Sequence, residues 1–186
     1  MSPSVPGSRC SLRSRSASLW PPLVGDERSP TSGGAGAGRA FDQCLVGNWK
    51  QTQWQADVDV GALTGHAAPG TVHVSGEGRD WTIFPSGRSL ESIIGAFYYG
   101  TSADGRAVKL RYGGSITWTL TTTDKKTLSI TNGDGAIDLT ISIDNTEVYN
   151  GKLPLDNRDN IPYTCHASTW QITGPHPNDA ARYTRL

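Results

Sequence analysis

The segment Ser115-Ile116-Thr117-Trp118-Thr119-Leu120-Thr121 alternates strictly between hydroxyl-bearing and large apolar residues. Because successive side chains of a β-strand point to opposite faces of a sheet, this period of two predicts a strand with one buried and one solvated face. The same alternation recurs at residues 107–112 and 137–144. Shorter runs occur at Val72/Val74, Trp81/Ile83, Leu128/Ile130, Ile161/Tyr163/Cys165 and Trp170/Ile172.

Short sequences typical of tight turns separate these runs. They are Ser86-Gly87, Asp104-Gly105, Gly113-Gly114, Asp124-Lys125, Asn132-Gly133-Asp134-Gly135 and Asn150-Gly151. The alternating runs and the turns between them predict about ten strands between residues 45 and 173. Because the strands are too closely spaced along the sequence for helical crossovers, the sheet should be antiparallel. Such strands stack as a sandwich or close into a barrel. We expect an all-β, antiparallel up-and-down β-barrel, because closure removes exposed strand edges.

Composition supports strands and limits the classes of partner. Nineteen Thr against four Glu and five Lys is typical of strands rather than helices. Seventeen basic and seventeen acidic residues balance, which gives no reason to expect nucleic acid as a partner. No apolar run is long enough for a transmembrane segment.

The first forty residues differ in composition from the rest of the chain. Ser, Gly and Pro fill half of these positions, so residues 1–40 are expected to form a disordered low-complexity tail. The apolar stretch of a secretory signal is missing, because Leu19–Val24 is short and broken by two prolines. A linker, a misplaced start codon and a non-standard export route all remain open. Cys10 is interpreted as incidental to this tail.

Two cysteines flank the predicted barrel, which is expected to span residues 41–175 and to be followed by a C-terminal extension at 176–186. Cys44 precedes the first strand and Cys165 lies in one of the last. The first and last strands of a closed barrel are neighbours, so the two residues are expected to form a disulfide, the alternative being two unrelated buried thiols. A disulfide would favour an oxidising, extracytoplasmic compartment.

The sequence Cys44-Leu45-Val46-Gly47-Asn48-Trp49 resembles the opening Gly-x-Trp motif of the lipocalins and their calycin relatives. Together with Tyr163-Thr164-Cys165, it is similar to small secreted lipocalin-like proteins of actinobacteria. A typical lipocalin also has an arginine packed over the motif tryptophan, whereas Arg158, Arg182 and Arg185 lie outside the predicted strands. The resemblance implies a barrel and a secreted, non-enzymatic protein whose cup holds a small hydrophobic or amphipathic ligand.

The side chains predicted to face the interior are the candidate ligand-binding residues. If Trp49 points inward, alternation also directs Gln51 and Gln53 inward, which suggests a wet lumen or a polar ligand group. A bulge after Trp49 would instead place Trp54 inside and the glutamines in solvent. The other ligand-binding candidates are Leu110, Tyr112, Ile116, Trp118 and Leu120, and plain core packing is the competing interpretation of all of them.

Catalytic and metal-binding patterns are missing from the sequence. The four histidines show no metal-ligand spacing, and no nucleophile elbow or phosphate-binding loop is present. Asp57 and Asp59 are interpreted as solvated rather than as a general acid/base pair. We therefore expect no enzymatic activity, catalytic residue, metal or cofactor. The alternative function is a structural or protein-interaction module of the cell envelope with a filled barrel core.

Overall fold

The computed structural model describes residues 41–65, 70–174 and 176–186. The predicted tail, Cys10 and His66 lie outside these residues. A 3₁₀ turn occupies Gln43–Leu45 and a short helix, α1, occupies Val60–Leu63. The strands are β1 (Gly47–Asp59), β2 (Thr71–Glu77), β3 (Asp80–Ile83), β4 (Arg88–Ser92), β5 (Ala96–Thr101), β6 (Ala107–Thr123), β7 (Thr127–Ile143), β8 (Thr146–Leu153), β9 (Arg158–His166), β10 (Thr169–Thr173) and β11 (Ala180–Arg185).

All eleven strands of the described residues belong to one antiparallel sheet, which forms a partly closed ring. Three long strands organise it, because each pairs with two shorter strands placed end to end. β1 pairs with β3 and then β2, β6 pairs with β5 and then β4, and β7 pairs with β9 and then β8. β11 pairs with both β10 and β1 and so links the first strand of the sheet to β10 and β9. The predictions of an all-β chain and an antiparallel sheet are confirmed.

The predicted turns at Gly113-Gly114 and at Asn132–Gly135 are wrong, because β6 and β7 continue through both. A side chain on Gly114 would lie 2.1 Å from the carbonyl oxygen of Ala136, and one on Gly135 would lie 2.3 Å from that of Ser115. These glycines, both with positive φ, therefore allow two long paired strands to approach closely rather than reversing the chain. The predicted turn at Asn150-Gly151 also lies within a strand, β8.

The sheet also extends beyond its predicted end. Residues 176–186, expected to be an extension outside the barrel, contain β11, which pairs with β1 from Trp49↔Arg185 to Gln55↔Ala180. Ala181 and Tyr183 alternate inward, but with only two buried positions the segment carries a weak periodic signal. The first and last strands of the described residues, β1 and β11, are therefore neighbours, as expected for the first and last strands.

The disulfide between Cys44 and Cys165 is present, which confirms the predicted pairing. The two Cα atoms are 6.0 Å apart. The bond links the turn before β1 to β9, with β10 and β11 lying between those two strands in the sheet. It therefore ties together elements that are 121 residues apart at one end of the ring, called here the disulfide end.

The interior of the ring changes in character along its axis. Near α1 the inward side chains are aliphatic, with Val58 opposite Val72 and Val108 opposite Ile143. Toward the disulfide end they become aromatic and polar, with Trp49 opposite Trp81, and Trp81 opposite Glu91. The buried apolar side chains form one continuous core. Polar groups inside this core define the candidate site.

Candidate interior binding site

Gln51 is the polar residue that the first strand contributes to the interior. Its side chain is completely buried. The Gln51 amide nitrogen donates to the hydroxyl of Tyr183 at 3.3 Å, and the hydroxyl of Tyr98 donates to the Gln51 amide oxygen at 2.7 Å. Both ends of the amide are therefore satisfied by tyrosines, and the inward orientation expected for Gln51 is confirmed.

Gln53 does not share that orientation, so the expectation that it faces inward is wrong. The pairing of β1 with β11 shifts register between Gln51 and Gln53, and this irregularity reverses the alternation so that Trp54 is buried. The alternative prediction of a bulge is therefore confirmed for Trp54, which is buried, and for Gln53, which faces outward. The bulge lies after Gln51 rather than directly after Trp49, so Gln51 still faces inward. Gln53 instead lies on the outer face, in a groove of about 190 Å³ across β1, β10 and β11.

Arg79 and Glu91 form a buried ion pair at the centre of the interior. Arg79 lies in the short break between β2 and β3, and its backbone oxygen accepts from the amide of Gln51 at 2.7 Å. Its Nη1 donates to Glu91 Oε1 at 3.1 Å and its Nε donates to the hydroxyl of Tyr98 at 3.0 Å. The second carboxylate oxygen of Glu91 accepts from the indole nitrogen of Trp118 at 3.0 Å. Both oxygens of the one carboxylate are therefore engaged.

Aromatic rings surround the Arg79 guanidinium. Its central carbon is 5.7, 5.8 and 5.4 Å from the ring centres of Trp54, Tyr98 and Tyr112. Burial opposes the charged form most strongly, yet the pKa of Arg79 is raised, because Tyr98 and Glu91 stabilise the cation. Arg79 thus remains a charged group in the interior. We call Gln51, Arg79, Glu91, Tyr98, Tyr112, Trp118 and Tyr183 the interior network.

A second arginine approaches the same space from β9. Arg158 is the first residue of β9 and lies opposite Ile130 in β7. Its Nε atom is buried. Burial, and then the charge of Arg79, lower the pKa of Arg158, whereas the negative charge of Glu91 raises it. The charges of Arg79 and Glu91 therefore both influence the protonation of Arg158.

Trp49 is fully buried at the disulfide end of the ring. Its indole nitrogen donates to the carbonyl of Leu45 at 2.7 Å, and the Arg185 guanidinium lies 4.3 Å above its ring. Arg185 also donates to the carbonyls of Val46 and Cys44, each at 2.6 Å. Because Arg185 belongs to β11, the expectation that no late arginine falls in a strand is wrong. The tryptophan, the arginine and the disulfide therefore lie together at the disulfide end of the ring.

Seven of the eight sequence-predicted ligand-binding residues lie inside the ring, with Gln53 the exception. None of the seven is more than 4% exposed: Trp49, Gln51, Leu110, Tyr112, Ile116, Trp118 and Leu120. The sequence reasoning missed Arg79, Glu91, Tyr98 and Tyr183. Arg79 follows a glycine and precedes an aspartate, which is typical of a turn, and Glu91 follows Leu90, whose side chain is exposed. The inward direction of Glu91 follows from its position opposite Trp81 in the neighbouring strand β3. Trp81 and Ile83 alternate inward along that strand, so the residues opposite them face inward too.

The remaining titratable residues of the described part of the chain are not grouped as metal ligands. Across residues 41–65, 70–174 and 176–186, no three His, Cys, Asp or Glu side chains converge as metal ligands. Asp57, expected to be solvated, accepts a hydrogen bond through Oδ1 from His73 Nδ1 at 2.8 Å. In the described part of the chain, no helix has the length and apolar character required to cross a membrane.

Comparisons with protein-family models, curated proteins and solved structures find no match to this chain.

Proposed function

We propose that this protein is a non-enzymatic, extracytoplasmic binding protein that holds a small amphipathic molecule inside the ring formed by its sheet. The observation that carries this proposal is the buried Arg79–Glu91 pair within a network of glutamine and tyrosine side chains. Apolar side chains dominate the α1 end of the same interior. An interior that is apolar at one end and polar at the other suits a ligand with an apolar body and a polar group.

Stability alone does not explain the interior network. Removing two charges from water costs several kcal/mol per ion, and well-packed apolar residues of similar volume are often equally or more stabilising. A buried polar network does, however, present a rigid set of donors and acceptors to a bound molecule. We therefore interpret the network as a recognition surface.

The base of the ring supports a lipocalin-like, calycin-type barrel. An arginine packed over the tryptophan of the Gly-x-Trp motif is what the resemblance implies for a typical lipocalin, and Arg185 lies over Trp49 in this way. The pairing of β11 with β1 is consistent with strands that close on themselves. The disulfide supports an oxidising compartment, because such bonds persist outside the reducing cytosol.

A filled-core structural or protein-interaction module of the cell envelope is the second candidate. The observation that favours it is the nearly complete burial of the seven inward candidates. In that case the interior network would only orient the strands, and partners would contact the outer face.

Native mass spectrometry of the protein purified from its own host distinguishes the two functions. A binding protein should retain a small molecule and show a reproducible mass increment that is lost after denaturation and refolding. Repeated recovery of the bare polypeptide mass from host extract would contradict the binding proposal and favour the structural module.

A further inference from the structure

One edge of strand β8 (Thr146–Leu153) has no strand beside it in the described part of the chain. β8 pairs with β7 along its other edge and stands at one end of the strand order. Among the described residues, no backbone hydrogen bond joins β8 to any strand or loop other than β7. Because alternate backbone N–H and C=O groups of a strand point to each edge, the sheet can be extended at this position.

The open edge of β8 is accessible. Thr146, Glu147, Asn150 and Lys152 are exposed, and Leu153 is the one buried residue of the strand. The strand is eight residues long and contains no proline, which would remove a backbone donor from the edge. A strand edge of this kind is a template for a further strand.

A bulge in β8 brings its two charged side chains, Glu147 and Lys152, to the same face. The two residues are five positions apart, so a regular strand would point them to opposite faces. The pairing of β8 with β7 shifts register between Ile141 and Ser142, which makes Val148 an extra residue. The alternation is therefore reversed once between the two charges, and both reach the outer face of the sheet.

Contacts on the outer face agree with this arrangement. Asn150 Nδ2 donates to Glu147 Oε1 at 3.3 Å, and Lys152 Nζ donates to Asp138 Oδ1 at 3.0 Å. Glu147 forms no ion pair with a described residue, and the Lys152 side chain is 71% exposed, so its ammonium has hydrogens left to donate. The outer face of β8 thus carries an anion, an amide and a cation in that order.

This order is self-complementary when two copies of β8 run antiparallel. A two-fold axis through Asn150 places this residue opposite its own copy, and an amide can both donate to and accept from another amide. The same axis places Glu147 of each copy opposite Lys152 of the other. The reason is the bulge, which leaves two pairing positions between Asn150 and each charge. Opposite charges directly across a strand pair stabilise the pairing.

We propose that β8 is a dimerisation edge, at which two copies of this chain pair antiparallel across a two-fold axis through Asn150. Backbone hydrogen bonds between the two β8 strands supply the attraction. The alternation of Glu147, Asn150 and Lys152 selects the register and the second copy as the occupant. This inference does not depend on the proposed binding function, because these three side chains lie outside the ring.

Charge reversal tests the interface in the full chain. Cys10 is replaced by serine in every protein so that dimers linked through this thiol do not contribute. Sedimentation equilibrium over a range of concentrations measures the dimer dissociation constant, and the parent protein should dimerise. Glu147→Lys and Lys152→Glu should each weaken the dimer at least about tenfold, because each exchanges two attractive contacts for two repulsive ones across the axis.

Mixing the two single variants isolates the register from any effect on folding. In the mixed dimer, each position 147 again faces the opposite charge at position 152, so the affinity should return to that of the parent protein. The double variant Glu147→Lys/Lys152→Glu should recover it in the same way without mixing. Lys50→Glu is the matched control, because Lys50 is also an exposed strand residue opposite an aspartate, Asp80, and it should leave the dimer unchanged.

Each remaining outcome would overturn the proposal. A parent protein that stays monomeric would refute the dimer, and a dimer that neither charge reversal weakens would refute β8 as its edge. Weakening that is not recovered in the mixture would refute the antiparallel register through Asn150. A monomer whose β8 amides resist hydrogen exchange at the open edge would assign that edge to residues 1–40 of the same chain instead of a second copy.

Discussion

Replacing one partner of the Arg79–Glu91 pair should destabilise the fold more than replacing both. Arg79→Met leaves the Glu91 carboxylate with the Trp118 indole as its remaining donor, and Glu91→Gln leaves the guanidinium without a counter-charge at 3.1 Å. Each single change should lower the free energy of unfolding by about 3–5 kcal/mol, the cost of an uncompensated buried charge.

The double variant Arg79→Met/Glu91→Gln removes both charges and keeps an amide oxygen for Trp118. Its loss should therefore stay below about 3 kcal/mol, the penalty of the polar groups that remain imperfectly paired. The two substitutions should consequently show a coupling energy of at least about 3 kcal/mol in a double-mutant cycle.

Urea unfolding followed by far-UV circular dichroism measures all four proteins without depending on tryptophan fluorescence. Asp138 and Lys152 provide the matched control, because they form an ion pair of similar length, 3.0 Å, with side chains 58% and 71% exposed. Asp138→Asn and Lys152→Met should each cost less than about 1 kcal/mol. Additive losses in the Arg79–Glu91 cycle, or single losses as small as those of the control, would refute a buried, mutually dependent pair.

Three further predictions concern the disulfide, a crowded glycine and an outer carboxylate. The double variant Cys44→Ser/Cys165→Ser should lose about 5 kcal/mol in urea unfolding, because the bond closes a loop of 121 residues; a loss below about 1 kcal/mol would contradict this. Gly76→Ala should lower the free energy of unfolding by at least about 1–3 kcal/mol, because its Cβ would lie 2.0 Å from a backbone oxygen. Gly113→Ala should change that free energy little, because its Cβ would lie 3.9 Å from the nearest atom. Equal losses for the two variants would contradict the close packing around Gly76. The hydrogen bond from His73 holds the pKa of Asp57 below 3.8, so the stabilisation by the Asp57 carboxylate is complete above pH 3.8 and is lost as the pH falls through the lowered pKa. The difference in unfolding free energy between wild type and Asp57→Asn should therefore shrink on acidification. A difference that widens would contradict the lowered pKa.

Strict alternation predicted the inward face correctly in the middle of β6, although the pairing of β6 with β7 shifts register between Thr117 and Thr119. Ile116, Trp118 and Leu120 lie inside as predicted, because one β6 residue in two must face the core. Prediction failed at Gln53, where a one-residue irregularity in β1 reversed the faces. Nothing in the Gln51-Thr52-Gln53 sequence marks that position, because the bulge is set by pairing with β11, at the far end of the chain.

The functional part of the interior was harder to predict than its apolar walls. Arg79 and Glu91 are charged residues, which are almost never fully buried unless they are paired, and their pairing depends on contacts between different strands. Arg185 was missed for a related reason. Its strand has two buried positions, and its role over Trp49 arises from closure of the sheet rather than from local sequence.

The central claim is that the interior network recognises a molecule. A crystal structure of the protein purified from its own host, refined at high resolution, tests this most directly. We predict electron density for a non-protein group within hydrogen-bond distance of a side chain of the interior network, with an apolar extension toward Val58 and Val108. An interior filled by side chains and at most ordered water, in protein never exposed to denaturant, would contradict the claim.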